Sequence, residues 1–139
     1  MNFFHEVDHE RRRLITVFEG DVTMKDALQH IEHRAVQGTI GYAQLIDATH
    51  SRVVFTPAEA DRIAKVMKEH ADNGPIGPTA FLANNDSDFG MYRLFGTMTD
   101  EAYPVNVFRS WEAAQRWLGW MNEEYESKSH ATPALVAAP

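Results

Sequence analysis

Residues 41–48, Gly-Tyr-Ala-Gln-Leu-Ile-Asp-Ala, leave this chain few folds to choose from. The apolar pair Leu45 and Ile46 follows Gly38 and Gly41 and precedes the polar cluster Asp47, Thr49, His50 and Ser51. A short apolar run bounded in this way predicts a strand buried on both faces, the central strand of a sheet covered by helices. Open α/β sheets bind ligands just beyond the carboxyl ends of their strands. Asp47 therefore marks the expected crevice.

The flanking segments build the rest of the sheet. Residues 3–7 and 14–19 read as two strands, the second rich in β-branched Ile15, Thr16 and Val17, and the short charged connection between them implies an antiparallel hairpin. Thr23 with Asp26 three residues on starts a helix to about Gln37, whose inner stripe is Met24, Ala27, Leu28, Ile31 and Ala35, and Gly38 ends it. Thr56-Pro57-Ala58-Glu59 combines an N-cap, a proline at the first helical position and a capping-box glutamate, so a second helix runs from there to about Ala71. Residues 79–83 form the next buried strand. Asp86 or Ser87 caps a third helix reaching about Thr99, in which Gly90 and Gly96 suggest close packing. A last strand over 105–108 leads to a helix capped by Ser110, with Ala114, Trp117, Leu118, Met121 and Tyr125 as its stripe. The expected fold is α/β, a mixed but mainly parallel five-stranded sheet with four helices in the order ββαβαβαβα, its first strand antiparallel at an edge. The domain covers residues 1–125, and the tail 126–139 is polar and then small.

Composition narrows the function. Thirteen Lys and Arg against twenty Asp and Glu give a net charge of −7, which opposes attraction to nucleic acid or to anionic lipid surfaces. The run Arg11, Arg12, Arg13 reads as a solvated bend. With no cysteine, disulfides, thiolate catalysis and cysteine-ligated zinc are excluded. The first residues lack the basic and apolar regions of a secretory signal, and no apolar run reaches the roughly 18 residues of a membrane span, so the expected location is the cytoplasm.

The element order, with Leu14-Ile15-Thr16-Val17-Phe18-Glu19-Gly20-Asp21-Val22, the strand over 41–47 and Thr56-Pro57-Ala58-Glu59, resembles the SpoIIAA-like or STAS-like bacterial domains, and within them the small stand-alone members, which mostly lack an assigned role. The resemblance covers residues 1–122. It implies a regulatory or protein-binding module. In the anti-sigma-factor antagonists of that superfamily a serine in an Asp-Ser-Ser-Gly type motif is phosphorylated where the second main helix begins. This chain has Phe55-Thr56-Pro57-Ala58 there, so Thr56 is the matching hydroxyl, and helix capping already accounts for it.

Other constellations have simpler readings. His5-Glu6-Val7-Asp8-His9 matches the zinc-protease string, but on a strand its histidines lie about 13 Å apart along the chain, too far to share an ion. His30 and His33 are one helical turn apart, on or near the exposed edge of their helix, without a third ligand, so no metal is expected. Asp47, His50 and Ser51 suggest a hydrolytic triad, yet neither a nucleophile elbow nor a glycine-rich oxyanion loop accompanies them, and turn chemistry explains them. Asn84, Asn85 and Asp86 sit at a helix N-terminus, where Asp86 and Asp88 would repel a phosphate. Trp117 belongs to the core stripe, whereas Trp111 and Trp120 are candidates for an interface with a partner or a second copy of the chain.

The expected function is a non-enzymatic regulatory or protein-binding module without a cofactor. Its candidate ligand-binding residues are Asp47, Thr49, His50, Ser51, Asn84, Asn85 and Asp86. The alternative is a small-molecule or lipid-binding protein with an apolar pocket of Phe89, Tyr92, Phe95 and Met98 beneath the same loops. An enzyme using Asp47 and His50 as acid and base ranks third.

Overall fold

The computed structural model describes residues 2–120; Met121, Tyr125 and the tail over 126–139 lie outside them. The elements are β1 (Phe3–Asp8), β2 (Arg13–Val22), α1 (Met24–Gln37), β3 (Ala43–Val53), α2 (Pro57–Ala71), β4 (Thr79–Leu82), α3 (Asp86–Thr99), β5 (Val105–Phe108) and α4 (Trp111–Leu118). The five strands form one sheet in sequence order, β1 antiparallel to β2 and the rest parallel. Successive crossovers of one hand between neighbouring parallel strands must all lie on the same face. Accordingly α1, α2 and α3 cover one face over the large core of Phe18, Ile46, Ile63, Phe81 and Phe95, and α4 covers the other over Leu45, Ala80, Ala114 and Trp120.

Local chemistry explains the boundaries. Thr23 and Thr56 each close a capping box, with Asp26 and Glu59, and Gly38 ends α1 in the left-handed conformation at φ 72°. The cap of α3 is Asn85, one residue before the expected Asp86 or Ser87. Its amide oxygen accepts from Asp88 N at 2.8 Å, leaving Asp86 as the first helical residue. Helix α4 is shorter than its apolar stripe suggests, because Gly119 at φ 78° closes it after Leu118. The chain's reversal there inverts the expected roles of two tryptophans: Trp120 is 4% exposed in the second core, whereas Trp117 is 37% exposed. Gly96 packs against Val105, but Gly90 faces open space.

Strand β3 extends five residues beyond the expected strand end. Its pairing with β2 slips between Val17–Asp47 and Glu19–His50, so one extra residue bulges out of β3 near Ala48 and Thr49. His50 and Ser51, read from sequence as a loop, are ladder residues opposite Glu19 and Gly20. Among the described residues no helix is long and apolar enough to cross a membrane.

Candidate functional site

The carboxyl edge of β3 is built around its bulge. Asp47 is 3% exposed, and its Oδ1 accepts from Thr49 N at 3.0 Å and Thr49 Oγ1 at 2.6 Å. An extra residue disrupts the local ladder, and the carboxylate gives the freed Thr49 amide a partner. Asp47 thus shapes the strand, and among the described residues no hydrogen bond joins it to the exposed His50. Ser51 Oγ donates to Ala48 O at 3.0 Å, which further fixes the bulge.

Two side chains bring neighbouring segments to this edge. Asn84 Nδ2 donates to Thr49 O at 3.3 Å, so the loop after β4 does meet the end of β3. Asp88, 1% exposed, accepts from Val53 N at 3.1 Å and from Asn85 Nδ2 at 3.2 Å, tying the start of α3 to the last residue of β3. Sequence reading missed Asp88 as an anchor, although a carboxylate at the third position of a helix is the place to look for one. Asp86 is exposed and pairs with Arg109 at 2.6 Å. Thr56 is exposed at the start of α2, where its hydroxyl accepts from Glu59 N at 3.2 Å. Beside it Val54 is 42% exposed, a large apolar side chain on an otherwise polar edge.

A second constellation lies at the opposite, amino ends of the strands. His30 is 6% exposed, and His33 is half-buried, so neither occupies the solvated edge expected of it. Both pack against β1: His5 stacks on His33 at 5.0 Å between ring centres and lies 5.3 Å from His30, with Phe3 edge-on to each of the α1 imidazoles. Among the described residues no three His, Asp or Glu side chains are arranged to hold a metal ion. The string His5 to Asp8 lies on β1, and His9 in the following turn pairs with Tyr42 Oη at 2.9 Å.

Arg34 roots a directed hydrogen-bond chain through this cluster. A guanidinium can only donate, so the 2.9 Å bond from its Nη1 fixes Gln44 Oε1 as acceptor. Gln44 Nε2 must then donate, at 2.8 Å to Thr16 Oγ1 and at 2.8 Å to His30 Nε2. The Thr16 hydroxyl is thereby free to donate to His5 Nδ1, 2.8 Å away. The His30 ring accepts from the Gln44 amide, which requires that ring to be neutral. Arg34 Nη2 also donates to the carbonyls of Thr39, Ile40 and Tyr42 at 2.6, 3.2 and 3.1 Å, closing the loop between α1 and β3. Burial pulls the Arg34 guanidinium down to about 10, so it stays charged at neutral pH.

The same burial, reinforced by His33 and Arg34, pulls His5 down to about 4, and burial moves His30 well below the ordinary histidine range. The ionisable groups that act on these rings are other histidines and Arg34, all basic. In the unfolded chain both rings take up a proton near 6.5, whereas the folded chain resists it. The unfolded state thus binds more protons in that window, and stability complete above about 6.5 falls as pH drops toward about 4. Urea midpoints measured between pH 7 and 4 should decline accordingly, and His5→Phe should flatten the decline.

Between the sheet and helices α1–α3 lies a cavity of about 60 Å³. Ile63, Met67 and Phe81 supply apolar walls, and Arg34, Gln44 and Tyr103 supply the polar end. Of the four residues expected to form an apolar pocket, Tyr92 and Phe95 line this space, while Phe89 and Met98 pack at the rim of the core.

No family profile matches the sequence, and no curated protein matches it. Solved structures do. An uncharacterised protein of the DUF3478 family with a SpoIIAA-like fold from Shewanella loihica PV-4 superposes with a TM-score of 0.57 at 16% identity, over 84% of this chain and 94% of that one. The anti-sigma factor antagonist SpoIIAA in its unphosphorylated form gives a TM-score of 0.52 at 14% identity, over 86% of this chain and 99% of that one. With the β1–β2 hairpin, the three one-sided crossovers and the long central strand already described, these likenesses identify the architecture: the chain has the SpoIIAA-like fold.

Proposed function

We propose that this protein is a non-catalytic regulatory module that recognises a protein partner at the carboxyl edge of β3. The observation that carries the reading is the convergence there of three element ends, β3, α2 and α3, fastened by the Asp88–Val53 and Asn84–Thr49 bonds around exposed Val54 and Thr56. Surfaces pinned from several sides lose little entropy on docking, and an exposed apolar side chain within a polar rim is a common anchor. The likeness to an anti-sigma factor antagonist, a protein named for opposing another protein, supports the same class of action.

The test is affinity capture from the organism's own lysate, followed by binding assays with the purified partner. Wild type and Val36→Glu, altered at a 77% exposed valine on α1, should retain the partner. Val54→Glu should weaken it about tenfold or more while leaving the unfolding midpoint unchanged. Equal retention by all three, or equal loss from Val36→Glu and Val54→Glu, would refute the surface.

A further inference from the structure

The interior cavity has its polar end at the amino ends of β3 and β4, away from that surface, while Phe55, between Val54 and Thr56, lines its other end. We propose that it is a binding site for a short-chain carboxylate, whose charged end pairs with Arg34 and whose hydrocarbon end lies against Ile63, Met67 and Phe81.

Charge is the first reason. Arg34 is 2% exposed, and among the described residues no carboxylate pairs with it. Buried charges are ordinarily neutralised by a partner, because leaving water is costly for an isolated ion. Here the surroundings are histidines, the Tyr103 side chain and neutral amides and carbonyls, which leave the Arg34 charge unmatched among the described residues of a chain of net charge −7. Arg34 Nε also has no hydrogen-bond acceptor, although the side chain lines the cavity. An anion in that space answers both the charge and the orphaned donor.

Size and lining select the anion. A space of about 60 Å³ exceeds what one water needs several times over and fits a small organic anion such as butyrate. The apolar walls favour a hydrocarbon tail over a fully hydrated inorganic ion. Sulfate, with two charges, would leave one uncompensated beside Phe81 and Met67.

The test is a titration of the full chain with sodium butyrate against sodium chloride at matched ionic strength. Butyrate should shift the Arg34 Nε–Hε resonance saturably, give intermolecular Overhauser contacts to Met67 and Phe81, and raise the thermal midpoint with ligand concentration. Chloride should do none of these. Acetate should bind more weakly than butyrate, and octanoate should be excluded. Ala27→Leu, which takes up cavity space while leaving Arg34 in place, should weaken butyrate binding by about tenfold or more. The proposal is overturned by contacts confined to exposed residues, by chloride reproducing the Arg34 shift, by octanoate binding more tightly than butyrate, or by Ala27→Leu binding like wild type.

Discussion

Gly77→Ala should lower stability by about 3 kcal/mol or more, read as a shift of the urea midpoint. Gly77 is buried where the chain enters β4, its amide donating to Ile40 O at 3.0 Å, and a methyl group there would overlap the carbonyl of Tyr42 and crowd the amide of Ala43. The obstacle is backbone, which cannot swing aside as a side-chain tip can. Moving Tyr42 also disturbs an acceptor of Arg34 and the first residues of β3, so one methyl group strains the sheet and the polar cluster together. Gly90→Ala provides the contrast. Gly90 lies within α3 with open space around it, and alanine there should stabilise by up to about 1 kcal/mol.

Arg34→Met should cost roughly 2–4 kcal/mol in the same assay. The substitution keeps most of the aliphatic stem but leaves Gln44 Oε1 and three backbone carbonyls without their donor. Removing a buried charge returns part of its desolvation cost, which keeps the net effect below the sum of the lost bonds. Arg34→Lys should recover less than half, since one ammonium cannot reproduce a planar fork aimed at four oxygens. A loss under about 0.5 kcal/mol for Arg34→Met would show that the carbonyls find other partners.

The parts of this fold legible in sequence are those written in local chemistry. Thr23-Asp26, Thr56-Glu59 and Gly38 each act on their own turn, so they marked the bounds of α1 and the start of α2 without tertiary information. Asp47 was found as the acid at the carboxyl end of the expected strand, but the bulge after it depends on pairing with β2, which no local pattern reveals. The polar cluster stayed hidden for a related reason. An apolar stripe counted along α1 passes over His30 and Arg34, because their burial depends on Gln44 and Thr16 arriving from other strands. The available clue was Gln44 itself: a glutamine beside Leu45 and Ile46 in a central strand must find partners on the facing helix. Trp120 was misplaced because the helical period was carried through Gly119, whose left-handed conformation ends α4.

Function is less legible than fold, since recognition depends on surfaces assembled from distant segments. Val54 and Thr56 lie in the connection from β3 to α2, Asn84 in the loop after β4 and Asp88 in the first turn of α3; the sequence pointed to Thr56, through its cap, and to Asn84, through its place after a buried strand, but not to the other two. Exposed Val54 has no periodic signature at all.

The attachment of α1 to the sheet through a buried, charged Arg34 is tested most directly by side-chain amide exchange in the wild-type protein. In nitrogen-proton spectra recorded from neutral to mildly alkaline pH, the Arg34 Nε–Hε signal should persist with separately resolved Nη protons, after the signal of 70% exposed Arg52 has been lost to exchange. If Arg34 exchanges as fast as Arg52, its guanidinium is not held by Gln44 and the three carbonyls, and the polar cluster that joins helix to sheet does not exist as described.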